Sequence, residues 1–196
     1  MQTDVMFAGF GGQGIMLIGQ MLAYAGMSEG RNVVWLPSYG PEMRGGTAYC
    51  TVVVADRAIG SPIIDRPTSI VVMNRPSLDK FASKVKPGGL LIINSSLIDA
   101  TSDRTDIRIA HVAANEIALE AGTGKAANMA MLGAYLGCSD AVSLDAVRAI
   151  LRKHFEAKPQ LVELNMKVLD RGFELGRAAA APAKAATAGA GAGSHV

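Results

Sequence analysis

Between an apolar strand-like run, Val5 to Ala8, and an apolar helix-like run, Ile15 to Met27, stands Gly9-Phe10-Gly11-Gly12-Gln13-Gly14. A glycine-rich turn that joins a strand to a helix places this end of the chain in an α/β arrangement. Without Cβ atoms, the backbone N–H groups of the turn can come close to a ligand. The helix that follows adds roughly half a positive charge at its N-terminus. The turn therefore points first to an anionic, nucleotide-like ligand.

The spacing is that of the dinucleotide fingerprint G-x-G-x-x-G, in the expected place. That fingerprint also needs an acidic residue about 20 positions further on, at the end of the second strand, to hold a ribose hydroxyl. Here the second strand reads Asn32-Val33-Val34-Trp35-Leu36 and runs into Pro37-Ser38-Tyr39, with no Asp, Glu or Arg at its end. Both the NAD and the NADP readings lose their second half. From the pattern alone three readings stay open: a phosphate loop, a turn required only for tight strand–helix packing, and a nicotinamide or flavin site.

Segments with strand character recur with helical stretches between most of them. Asp4–Ala8, Asn32–Leu36, Ala48–Ala55, Ser69–Met73, Leu90–Asn94 and Ile107–Val112 are predicted strands, and Gly14–Ser28 and Ser77–Val85 predicted helices. Strands that are apolar throughout, without clean alternation, imply burial on both faces. The expected fold is α/β, a Rossmann-like open and mostly parallel sheet with helices on both faces. The second half turns helical over Asn115–Ala121, Ala126–Leu136, a helix capped by Ser143, and Pro159–Arg177.

With 196 residues, 49% of them hydrophobic and 18% charged, the chain can bury a sizeable core. Residues 1–177 are expected to form a single domain. Residues 178–196 are an Ala/Gly-rich tail that buries too little apolar area to offset its ordering and is expected to be disordered. A net charge of +2, with no basic cluster interleaved with aromatics, argues against nucleic acid as a partner. Cys50 and Cys138 stand far apart with no CxxC, too few ligands for a zinc site or an iron–sulfur cluster. Both are expected to be buried reduced thiols. No signal peptide is evident, and no apolar stretch reaches the ~18 residues of a membrane span. The expected location is the cytoplasm.

A second informative stretch follows strand two, where open α/β folds place ligands: Ser38-Tyr39-Gly40-Pro41-Glu42-Met43-Arg44-Gly45-Gly46. Its paired turn formers would hold Tyr39, Glu42 and Arg44 on a defined loop. Arg44 offers a planar fork for a phosphate, a carboxylate or a partner's acidic group. The plainer alternative is a solvent loop with a surface Glu–Arg pair.

Taken with Ala8–Gly14, this stretch resembles the gamma subunit of 2-oxoacid:ferredoxin oxidoreductases. Ala127-Asn128-Met129-Ala130-Met131-Leu132-Gly133-Ala134 is similar to the same family's helix, and the likeness covers about residues 3 to 175. Thr47-Ala48-Tyr49 departs from it, since many members carry a small or charged residue after the paired glycines.

The resemblance implies a subunit without the hard chemistry, in an enzyme that oxidatively decarboxylates a 2-oxoacid to an acyl-CoA. Thiamine diphosphate and iron–sulfur clusters would sit in partner subunits, alpha, beta and possibly delta. Electrons would leave to ferredoxin or another acceptor through those partners. The first expectation for the acid is 2-oxoglutarate, ahead of branched-chain, pyruvate and aryl acids. This chain would help bind coenzyme A through Gly9, Gly11, Gly12, Gln13 and Gly14, with Tyr39, Arg44 and Asn128 as further polar contacts. Asn128 alternatively caps its own turn, Lys125 is a second candidate for a phosphate, and His111 reads as structural. No catalytic residue and no bound metal are assigned to this chain.

Overall fold

A computed structural model describes residues 1–38 and 47–181 of the chain. Six strands, β1 (Gln2–Phe10), β2 (Asn32–Ser38), β3 (Thr47–Ala55), β4 (Ser69–Val72), β5 (Leu90–Asn94) and β6 (Arg108–Val112), form one sheet in the order β2-β3-β1-β4-β5-β6. The helices are α1 (Ile15–Ser28), α2 (Arg75–Phe81), α3 (Ala114–Glu120), α4 (Ala127–Cys138), α5 (Leu144–His154) and α6 (Pro159–Ala180).

The α/β class holds, and the sheet is mostly parallel with one strand reversed. β1, β4, β5 and β6 pair in parallel, whereas β3 is antiparallel to both β1 and β2. Chain length explains the departure. Residues 39–46 are too few for the dozen or more that a parallel crossover requires, so β3 must return alongside β2.

Both faces of the sheet are covered. On one, Val5 and Phe7 of β1 pack with Ile18 and Leu22 of α1, Met129 and Leu132 of α4, and residues of α3, α5 and α6. On the other, Met6 and Ala8 pack with Ile70, Val72, Leu91, Ile93 and the α2 residues Leu78 and Phe81. Alternate side chains of β1 therefore feed two cores, which is why its sequence is apolar without alternation.

Every residue of α4 is buried. It lies against α6 at backbone distance. A Cβ on Gly133 would strike the Leu169 carbonyl, and one on Gly172 the Ala130 carbonyl, with Gly137 and Gly176 repeating the contact one turn on.

The helix ends largely follow the sequence. Ser143 caps α5, its hydroxyl accepting from the Ala146 N–H at 3.1 Å. α2 starts two residues earlier than predicted because Asn74 caps it, Oδ1 accepting from the Ser77 N–H at 2.9 Å, with Pro76 in its first turn. α6 continues three residues past Arg177 to Ala180. Most of the predicted tail, residues 182–196, lies outside the described residues.

Candidate functional site

The glycine turn leaves the carboxyl edge of the sheet where β1 and β4 are neighbours. The chain goes from β1 to one side of the sheet and returns at β4 to build the other, so a crevice opens there. Gly12 and Gly14 take φ of 95° and 75°, the left-handed region that side chains resist. Gly14 in that conformation is the residue from which α1 starts.

Gln13 folds back over the turn. Its Oε1 accepts the Phe10 N–H at 2.7 Å and the Asn74 amide at 3.4 Å, and its Nε2 donates to the Met73 carbonyl at 3.3 Å. Gly9 makes the room: a Cβ there would lie 2.7 Å from Gln13 Oε1 and 3.0 Å from Met73 Cβ. The side chain predicted to touch a ligand is thus engaged at both ends in fixing the loop.

Asn128 stands opposite, at the start of α4 and 5% exposed. Its Nδ2 donates to the Gly14 carbonyl at 3.3 Å and its Oδ1 accepts the Met129 N–H at 3.0 Å. Asn128 therefore touches both its own turn and the glycine loop, while α4 itself has no side-chain cap. Beyond it, fully buried Asn94 ends β5. Its Oδ1 accepts the N–H groups of Ser96 and Ala114, each at 3.3 Å, and its Nδ2 donates to Asn115 Oδ1 at 2.9 Å.

Between these groups lies a cleft of about 320 Å³, lined by Gly12, Gln13, Met73, Asn115, Gly124, Lys125, Ala127 and Asn128. Among the described residues, Lys125 is the one charged residue that lines it, and it makes no salt bridge with any of them. Two helix N-termini, of α1 and α4, meet the cleft. Neither is preceded by a capping side chain nor carries an acidic residue in its first turn. By contrast, α2 and α5 have side-chain caps, and α3 and α5 have Glu116 and Asp145 in their first turns. Two helix N-termini without side-chain caps, a lysine and three carboxamides meet at the cleft, a setting that favours negative charge.

Of the residues expected at a ligand, Gly12, Gln13 and Asn128 line the cleft together with Lys125, whereas Gly9, Gly11 and Gly14 belong to the same turn without lining it. Tyr39 and Arg44 lie outside the described residues. Asn74, Asn94 and Asn115 went unnoticed in the sequence. A polar residue ending an apolar run, as in Ile70-Val71-Val72-Met73-Asn74 and Leu91-Ile92-Ile93-Asn94, was the signal available. His111 is exposed, faces Thr101 at 3.2 Å and does not line the cleft.

Both cysteines are free and buried. Cys50 lies beneath the first turn of α1, a position that can activate a thiol. Here it donates to the Ile15 carbonyl at 3.6 Å, and burial pushes it up to about 12. Burial thus keeps it protonated at neutral pH. No group of three or more His, Cys, Asp or Glu that could hold a metal ion occurs among the described residues, and no helix among them is long and apolar enough to cross a membrane.

Residues 4–175 match the family model for pyruvate ferredoxin/flavodoxin oxidoreductase. The ketoisovalerate oxidoreductase subunit VorA of Methanothermobacter marburgensis is 42% identical over 90% of this chain, which spans only 37% of VorA's length. The crystal structure of the keto/oxoacid ferredoxin oxidoreductase gamma subunit from Geobacter sulfurreducens superposes with a TM-score of 0.78 at 28% identity, covering 90% of this chain and 99% of that one. The 2-oxoglutarate:ferredoxin oxidoreductase of Magnetococcus marinus, solved with 2-oxoglutarate, coenzyme A and succinyl-CoA bound, shares the fold at a TM-score of 0.83 and 22% identity. The match covers 90% of this chain and 31% of that one.

Proposed function

The chain belongs to the pyruvate ferredoxin/flavodoxin oxidoreductase family as a gamma-type subunit of the 2-oxoacid:ferredoxin oxidoreductases, and on that premise we propose that its cleft holds the diphosphate of coenzyme A. The observation that carries this reading is the convergence of two helix N-termini without side-chain caps and Lys125 on one cleft, with no acidic residue among the described residues that line it. The absence of an acidic anchor at the end of β2 speaks against a nicotinamide ligand instead. That the Magnetococcus enzyme was solved with coenzyme A bound supports the choice of ligand.

In this reading the chain positions and does not make bonds. Holding the thiol carrier beside the acyl group converts an encounter between two molecules into one within a complex, worth several kcal/mol of barrier. The described residues offer no metal-ligand cluster, and thiamine diphosphate and iron–sulfur clusters are assigned to partner subunits. Those partners, alpha and beta with delta where present, pass electrons to ferredoxin or another acceptor. The assembly works in the cytoplasm, in keeping with two free buried thiols. The first expectation for the acid, 2-oxoglutarate, gives way to a branched-chain 2-oxoacid, after the ketoisovalerate enzyme whose subunit is 42% identical.

The test is steady-state kinetics of the enzyme reassembled with its partners. Lys125→Glu should raise KM for coenzyme A at least about tenfold, with kcat and assembly retained, and the isolated chain should show no turnover. An unchanged KM, or activity from the chain alone, would sink the proposal.

A further inference from the structure

The three carboxamides at the cleft are each oriented by the backbone. Gln13 must turn its oxygen to the Phe10 N–H and its nitrogen to the Met73 carbonyl. Asn128 must turn its oxygen to the Met129 N–H and its nitrogen to the Gly14 carbonyl. For Asn115 the constraint arrives through another residue. Asn94 accepts two backbone N–H groups with its oxygen, so only its NH2 is left for Asn115, whose oxygen must receive it. All three oxygens are spoken for inside the protein, and hydrogen-bond donors are what remain for the cleft, beside the Lys125 ammonium.

We propose that Asn94, a fully buried residue outside the cleft, is a positioning residue that holds Asn115 donor-side to the ligand, making the cleft selective for phosphoryl oxygens, which only accept. The role rests on the reading of the cleft as the diphosphate site of coenzyme A. Reversing one amide would lose a donor and set an acceptor against the anion, so a side chain that never touches the ligand governs its affinity. Asn94→Asp makes that reversal. Its carboxylate still accepts from Ser96 and Ala114 but cannot donate to Asn115, which must turn its own NH2 inward.

The probe is inorganic pyrophosphate, titrated into the full chain. Asn94→Asp should weaken it about tenfold, the worth of one hydrogen bond to a charged group. The same change made in an Asn115→Ala background should cost clearly less, leaving only the repulsion by the new carboxylate, because the group through which the reversal acts is gone. In the unaltered protein, pyrophosphate should shift the side-chain NH2 resonances of Asn115, a reading that needs no variant to fold. Equal losses in both backgrounds, unmoved Asn115 resonances, or no binding of pyrophosphate at all would each overturn the role. Should pyrophosphate behave as expected while KM for coenzyme A in the assembled enzyme ignores Asn94→Asp, the positioning role stands and the coenzyme A reading falls.

Discussion

Asn128 donates its side-chain amide to the Gly14 carbonyl at 3.3 Å, tying the first turn of α4 to the residue from which α1 starts. The contact is so close that a Cβ on Gly14 would overlap the Asn128 amide, whereas one on Gly12 meets nothing within 4 Å. Both glycines have positive φ, so alanine at either carries the backbone strain of about 1 to 2 kcal/mol. Only Gly14→Ala must also expel Asn128. Urea denaturation should therefore show a larger loss for Gly14→Ala than for Gly12→Ala, and equal losses would refute the coupling.

Asn74 serves two partners with opposite ends of one amide. Its oxygen caps α2 through the Ser77 N–H and its nitrogen reaches Gln13 Oε1. Asn74→Ala should cost about 1 to 2 kcal/mol through the lost cap. Asn74→Ser keeps a capping oxygen and drops only the amide nitrogen that reaches Gln13, so its urea midpoint should lie nearer that of the unaltered protein than Asn74→Ala does. Equal losses in the two variants would mean that the cap is not what matters.

The glycine turn, the order of elements and the cap at Ser143 were legible because each rests on residues adjacent in sequence. So, in principle, was the antiparallel β3, since the segment before it is too short for a crossover; the apolar runs on either side suggested parallel strands more strongly than that length opposed them. The carboxamide relay was not legible. Asn94 and Asn115 become partners only when β5 and β6 align, and nothing local distinguishes a strand-final Asn that caps a turn from one that orients a neighbour. Likewise Gln13 stands in the middle of the loop motif, where the pattern suggests contact with a ligand. Only Met73 and Asn74, brought alongside by β4, show that its amide is spent on the loop.

The contact between α4 and α6 predicts a severe response to one methyl group. At Gly172 the obstruction is the Ala130 carbonyl, which is backbone, and α4 is buried along its whole length and has nowhere to move. Gly172→Ala should cost about 3 kcal/mol or more, at the upper end of overpacking effects. Gly60→Ala, where nothing lies within 4 Å of the new atom, is the control and should stay within about 0.5 kcal/mol. Comparable urea midpoints for the two variants would show that the helices can separate freely.

Alkaline pH should destabilise the fold through Cys50. Burial raises its thiol from 9.0 to about 12, so between those values the unfolded chain releases a proton that the folded chain keeps. The unfolded state then binds fewer protons, and stability falls as pH rises, by up to about 1.4 kcal/mol per unit for this one group. The contribution is complete below pH 9 and is lost on the way to 12. Buried Tyr135, also raised by burial, adds to the same decline from above 10.0. Cys50→Ala removes the thiol's share, so its stability measured by urea should decline less steeply between about pH 9 and 10, even if the absolute value is lower from the smaller side chain. Identical slopes in the two proteins would mean that the thiol titrates in the folded state as it does in the unfolded one, and that burial does not protect it.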